Sequence, residues 1–153
     1  NQGITDSNHT VDNMASVEAV IDYLKEDKKS FIFANLVEFD MVYGHRRNPK
    51  GYAKALKDFD IRLPEIIDNL KEDDLLIITA DHGCDPTFKG TDHTREYVPL
   101  LVYGDKLIED NKLPVRESFA DIAATVAEIF NLKELESGQS FLSNIIKGDN
   151  YDS

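Results

Sequence analysis

Two short apolar runs, FIFANLV at 31–37 and LLIITA at 75–80, flank a long stretch whose apolar residues recur at helical spacing. This order constrains the fold more than any other feature of the chain. Apolar runs without clean alternation are those of strands covered on both faces of a sheet. A helix between two such strands makes a βαβ unit, with parallel strands and a right-handed crossover. The connecting segment carries its own start signals: Asn48 as an N-cap, then Pro49 at the first helical position, where a missing N–H costs nothing. Its apolar face runs from Tyr52 and Ala55 through Phe59 and Leu63 to Ile66 and Leu70, and Pro64 is expected to kink the helix or divide it.

Around this unit the remaining elements fall into place. Met14, Val17, Ile21 and Leu24 form one face of an earlier helix, which the charged EDKK run at 26–29 should end. No helical period separates 75–80 from the next apolar run at 97–103, so that strand is expected to return antiparallel. Ser118 and Asp121 have the spacing of a capping box and open a helix striped by Phe119, Ile122, Val126, Ile129 and Phe130. A short helix over 140–146 and a fraying tail from Lys147 complete the reading. The expected architecture is α/β, a three-layer α/β/α core with a mostly parallel sheet and one antiparallel strand, forming a single domain across 1–153.

Charge and cysteine usage narrow the partners. Acidic residues outnumber basic ones, 29 to 17, for a net charge of −12, which argues against a broad basic face for nucleic acid. A phosphorylated substrate stays compatible with that charge where bound cations or local arginines reverse the field. The one cysteine, Cys84, cannot form an internal disulfide and fits a reducing, cytoplasmic setting. No apolar run approaches the roughly 20 residues that cross a bilayer. The opening Asn1-Gln2-Gly3 has neither an initiator Met nor the pattern of a signal peptide, and a piece of a longer chain is expected.

The chemistry sits just beyond the apolar runs, where open α/β sheets place their sites. Asp40 and His45 follow the first run, in FDMVYGHRRN; Asp81 and His82 follow the second, with Asp92 and His93 farther along the same loop. Singly, an Asp here is ordinarily a loop cap and a His a satisfied core group. Together, three histidines and several carboxylates predicted on one rim point to a metal centre. Mixed oxygen and imidazole donors suit Mn, Zn or Fe better than Ca. Arg46, Arg47 and Arg95 lie beside these residues and read either as phosphate-gripping groups or as surface ion pairs. Cys84 lacks an identifiable thiolate-stabilising partner, and His9 reads as a solvated loop histidine.

NLVEFDMVYGHRRNPKGY together with ITADHGCDPTFKGTDHTREYVPLLVY closely resembles the phosphopentomutase family of the alkaline phosphatase superfamily, and the likeness extends through DFDIRLPEII and FADIAATVAEIF. The resemblance implies an isomerase that interconverts ribose 1-phosphate and ribose 5-phosphate, and the deoxyribose pair, with two Mn(II) ions, a phosphorylated threonine and a sugar bisphosphate activator. Zn or Mg are the substitute ions it admits. By position it implies that Asp40, His45 and His93 ligate one ion and that Asp81 and His82 ligate the other; Asp92 matches no ligand. Thr79, Thr91 and Thr94 do not match the nucleophile, so the chain is expected to be a C-terminal part of the catalytic core with no catalytic nucleophile and little or no mutase activity alone. Its missing N-terminal segment would be its natural partner, and without it the sheet is expected to expose an apolar edge, with either self-association or poor stability as the result. The alternatives are another enzyme of the superfamily, such as a cofactor-independent phosphoglycerate mutase or a phosphodiesterase, and a non-catalytic metal-binding module.

Overall fold

The computed structural model describes residues 3–148, so most of the tail expected to fray lies outside the described residues. Lys147 itself is tied down, its N–H donating to the Lys106 carbonyl at 3.0 Å and its ammonium meeting Glu109 at 3.0 Å. Two compact units make up the chain, one from Asn1–Lys71 and His82–Leu100, the other from Glu72–Asp81 and Leu101–Ser153.

In the first unit, α1 (Asn13–Leu24) packs on α2 (Pro49–Asp68), and α2 packs on a π-helix at Phe39–Gly44. Asn48 caps α2 as the sequence specifies, and α1 is capped by Asp12, a residue its apolar spacing did not single out. Asp12 accepts the Ala15 N–H at 2.7 Å, and Asn48 accepts the Gly51 N–H at 2.9 Å. Val17 and Ile21 of α1 and Ala55 and Ile66 of α2 form the buried core of this unit. Arg62 reaches from α2 to Glu18 of α1 at 2.8 Å. Asn13, almost fully buried, exchanges hydrogen bonds with Glu38: its N–H donates to the carboxylate at 2.7 Å, and its side-chain oxygen accepts the Glu38 N–H at 3.1 Å. That reciprocal pair ties the start of α1 to the start of the π-helix. Pro64 sits inside α2 without dividing it, at the loss of one backbone hydrogen bond.

The second unit holds β1 (Leu76–Thr79), α3 (Ala120–Ile129) and α4 (Leu142–Ile145), and β1 pairs antiparallel with β2 (Leu100–Tyr103). Its core contains Ala127, Phe141, Leu142 and Ile145. A polar network runs through it. Asp121 accepts from Arg116 at 2.7 Å and from the Gln139 N–H at 2.8 Å, while the buried Thr125 hydroxyl donates to the Asp121 carbonyl and accepts the Phe141 N–H. These bonds fasten the segment after α3 back onto the helix. The segment can lie so close because Gly138, at φ +94°, has no side chain to strike the Ala120 carbonyl.

The mixed helix and strand class, the returning antiparallel strand and all four helices match the sequence reading. The parallel pairing does not form: residues 31–37 carry no strand, and Phe31 and Phe33 stand 62% and 80% exposed. A strand exists only by pairing, and this run has no ladder partner among the described residues. At α3 the expected capping box is replaced as well. Ser118 accepts the Ala120 N–H at 3.1 Å, while Asp121 turns inward to Arg116 instead of back to the cap.

Candidate metal centre

Asp40 and His45 come from a single wide turn. The π-helix closes with the His45 N–H donating to the Asp40 carbonyl at 2.9 Å, an i to i+5 bond that sets the two residues one above the other. His45 Nε2 then lies 3.1 Å from Asp40 Oδ2. His93 arrives from the loop after β1, its Nε2 3.5 Å from the same oxygen, and the donor atoms of all three residues lie within 4.8 Å of one another.

The loop is pinned at its neck and across its middle. Gly83 and Thr94 form an antiparallel bridge, with the Thr94 N–H donating to the Gly83 carbonyl at 3.2 Å. The Thr94 hydroxyl accepts the Asp85 N–H at 2.7 Å and donates to the Glu96 carboxylate. The neck brings His82 and His93 side by side, their rings stacked with centroids 3.6 Å apart. Across the middle, the Arg47 guanidinium donates to the carbonyls of Asp85, Gly90 and Asp92. Asp85 folds its own carboxylate onto Thr87, whose hydroxyl and N–H hold that carboxyl below the usual range.

The chemistry of the donors tests whether a cation fits. His45 Nδ1 lies 2.6 Å from the Thr91 carbonyl, which can only accept, so Nδ1 carries the proton. In the neutral ring Nε2 then offers a lone pair, and it faces a carboxylate oxygen, a second acceptor. A proton or a metal cation between the two resolves the conflict, and a carbonyl on the far nitrogen is the usual orienting partner of a metal-bound imidazole. The 4.8 Å spread slightly exceeds the roughly 4.2 Å spanned by opposed ligands at about 2.1 Å from an ion, a gap that rotation of the half-exposed imidazoles can close. One carboxylate and two imidazoles suit Mn, Zn or Fe.

Cys84 stands behind the site, its Sγ 3.9 Å from Asp40 Oδ1. Burial and the adjacent Asp40 carboxylate push the thiol up, which keeps it protonated near neutral pH and fits its reading as unreactive. A Cβ at Gly44 would lie 2.4 Å from that sulfur, so any other residue where the π-helix, Cys84 and Asp40 meet must push the thiol or the turn aside. Arg46 and Arg95 are exposed, whereas Arg47 is occupied by the loop carbonyls. Asp92 enters through its backbone carbonyl alone among these contacts. Asp81 closes the second unit's first segment, beyond β1. The supporting parts played by Gly44, Thr94 and the Thr91 carbonyl were not visible in residue type; the one available hint was the five-residue step from Asp40 to His45.

The model of the family described as the Metalloenzyme superfamily matches residues 1–134. The chain is 61% identical to a phosphopentomutase of Caldanaerobacter subterraneus subsp. tengcongensis over 144 residues, 94% of this chain. It is 56% identical to the phosphopentomutase of Clostridioides difficile over 148 residues, 97% of this chain, and 52% identical to that of Alkaliphilus oremlandii over 146 residues, 95% of this chain. In each case the match spans 37% of the relative's length.

Proposed function

The chain belongs to the Metalloenzyme superfamily, and from that premise we propose that it is the metal-binding C-terminal part of a phosphopentomutase catalytic core. The observation that carries this reading is the convergence of Asp40, His45 and His93 on one point. In the whole enzyme the reaction would interconvert (deoxy)ribose 1-phosphate and (deoxy)ribose 5-phosphate through a phosphothreonine, with a sugar bisphosphate as activator, in the cytoplasm. Two Mn(II) ions, when bound, would neutralise phosphate charge and lower the pKa of coordinated oxygen.

Asp40, His45 and His93 hold one ion, with the Thr91 carbonyl fixing the tautomer of His45. Asp81 and His82, neighbours in sequence, supply one carboxylate and one imidazole to the other by their match to the family pattern. The exposed guanidinium groups of Arg46 and Arg95 suit phosphate oxygens. On this reading the 153-residue chain would bind an ion and carry out no turnover. Its Thr94 hydroxyl is engaged by Asp85 and Glu96, and none of Thr79, Thr91 or Thr94 matches the nucleophile of the family pattern.

Mn(II) titration of the chain and of His93→Ala, by calorimetry and water-proton relaxation, tests the centre. The expected result is a defined site in the wild type, weakened at least tenfold by the substitution. Equal, diffuse binding in both would favour an acidic surface that merely buffers ions, and conversion of ribose 1-phosphate by the chain alone would overturn its inactivity.

A further inference from the structure

Arg47 stands out because the sequence offers it as a phosphate ligand and the geometry gives it another task. Its backbone lies in the left-handed region at φ +50°, which an arginine enters only at a cost, and the surrounding structure must hold it there. The Arg47 N–H donates to the Gly44 carbonyl at 3.0 Å, which ties the reversal directly to the end of the π-helix. From this position the side chain crosses to the loop that precedes His93. Nε donates to the Gly90 carbonyl, one terminal nitrogen to the Asp85 carbonyl at 3.1 Å and the other to the Asp92 carbonyl at 2.8 Å. A planar fork that meets three carbonyls from one loop fixes both the distance and the rotation of that loop.

The two ends of this clamp are the two segments that build the metal centre. Two residues before Arg47 stands His45, whose Nδ1 meets the carbonyl of Thr91, between Gly90 and Asp92. One residue after Asp92 stands His93, whose Nε2 faces Asp40. We infer that Arg47 is a positioning residue of the metal centre: it locks the loop over 85–92 to the π-helix, so that the Thr91 carbonyl reaches His45 and His93 reaches Asp40. It acts through carbonyl groups and touches neither ion nor phosphate. Lysine cannot reproduce it, since a single ammonium cannot meet three carbonyls spread along the loop in one plane.

The inference rests on the metal-centre reading, and its test separates the two. Lys89, exposed within the clamped loop, is a tryptic site that reports loop opening in the metal-free chain, and Lys133, in the other unit, serves as the control. Wild type, Arg47→Ala and Arg47→Lys are compared for the rate of cleavage after Lys89 and for Mn(II) affinity by calorimetry. Expected for Arg47→Ala is cleavage after Lys89 about tenfold faster, cleavage after Lys133 unchanged, and Mn(II) affinity lower by about 10–100-fold, the range for residues that orient metal ligands. Arg47→Lys should recover only part of each. Unchanged cleavage after Lys89 overturns the clamp; faster cleavage with unaltered Mn(II) affinity overturns its positioning role. Full recovery by lysine overturns the need for a fork. Should Arg47→Ala fail to fold, seen as faster cleavage after Lys133 too, the comparison of Arg47→Lys with wild type decides by the same criteria. A wild type that takes up no Mn(II) overturns the metal centre and this role together, whereas a binding wild type with an equally binding Arg47→Ala overturns this role alone.

Discussion

Gly44→Ala is the most discriminating single substitution in the centre, because its effects on stability and on metal binding should separate. The new Cβ would lie 2.4 Å from Cys84 Sγ and 3.2 Å from Asp40 Oδ1. Non-bonded atoms settle at about 3.5–4.0 Å, so the thiol or the π-helix must give way by roughly 1 Å. Overpacking of that kind costs about 1–3 kcal/mol. Alanine's better helix propensity returns about 1 kcal/mol, leaving a small net loss of stability. Metal binding has no such compensation. Ligand geometry is productive only within about 0.2 Å, and Asp40 is held against the very sulfur that must move. Mn(II) affinity should therefore fall at least tenfold, equivalent to about 1.4 kcal/mol, while the melting temperature drops by only a few degrees. Calorimetric Mn(II) titration and thermal denaturation of wild type, Gly44→Ala, Cys84→Ala and the double variant measure both. Removing the sulfur should restore most of the affinity lost in Gly44→Ala, a coupling that the cycle isolates. The steric argument is refuted if Gly44→Ala loses as much affinity without the thiol as with it, or loses none at all.

At the neck of the loop, Thr94→Val keeps the shape but deprives the Asp85 N–H of its acceptor and Glu96 of its donor, a loss of about 1–3 kcal/mol. Hydrogen exchange of the Asp85 amide should quicken at least tenfold, and an unaltered rate would sink the proposed bridge. In the second unit, the Gln139 N–H and the Arg116 guanidinium hold the Asp121 carboxyl below its usual range. A carboxyl whose pKa is lowered by folding stabilises fully above its unfolded value, about 3.9, and that contribution fades as pH falls through the folded value. Denaturant unfolding between about pH 5 and 2 should show a shallower acid loss in Asp121→Asn than in wild type, and identical profiles would show that this carboxyl is not the titrating group.

The helices were legible because their signals are local: Asn48 acts as a cap within three residues of itself, and the apolar spacing of Val17, Ile21, Ala55 and Ile66 selects a buried face. Residues 31–37 were misread for the opposite reason. Their apolar, β-prone composition states a propensity, while a ladder requires another backbone, which no local pattern supplies. The buried side of α3 was half legible. Its stripe includes Phe119 and Phe130, which stand 56% and 40% exposed, whereas the polar Asp121 and Thr125 are buried by partners at 116 and 139–141. A polar residue is buried where its hydrogen bonds are met, and those partners are distant in sequence.

In the candidate metal centre, residue type announced the side chains that converge, Asp40, His45 and His93, and the turn that joins two of them stayed hidden. In an α-helix, positions five apart point about 140° away from each other, so Asp40 and His45 could not have met on one side. The π-helix adds one residue to the turn, and its i to i+5 bond lays His45 over Asp40. A wide turn is seldom stable by itself and needs support from its surroundings. Here the Asn13–Glu38 pair holds its entrance, Gly44 admits Cys84 at its exit, and Arg47 carries the chain from that exit onto the loop of His93. All these supports and all three donors lie in the first unit. The geometry of the centre is thus set by a helix irregularity and the bonds around it, and the sheet enters only as the place from which the loop departs.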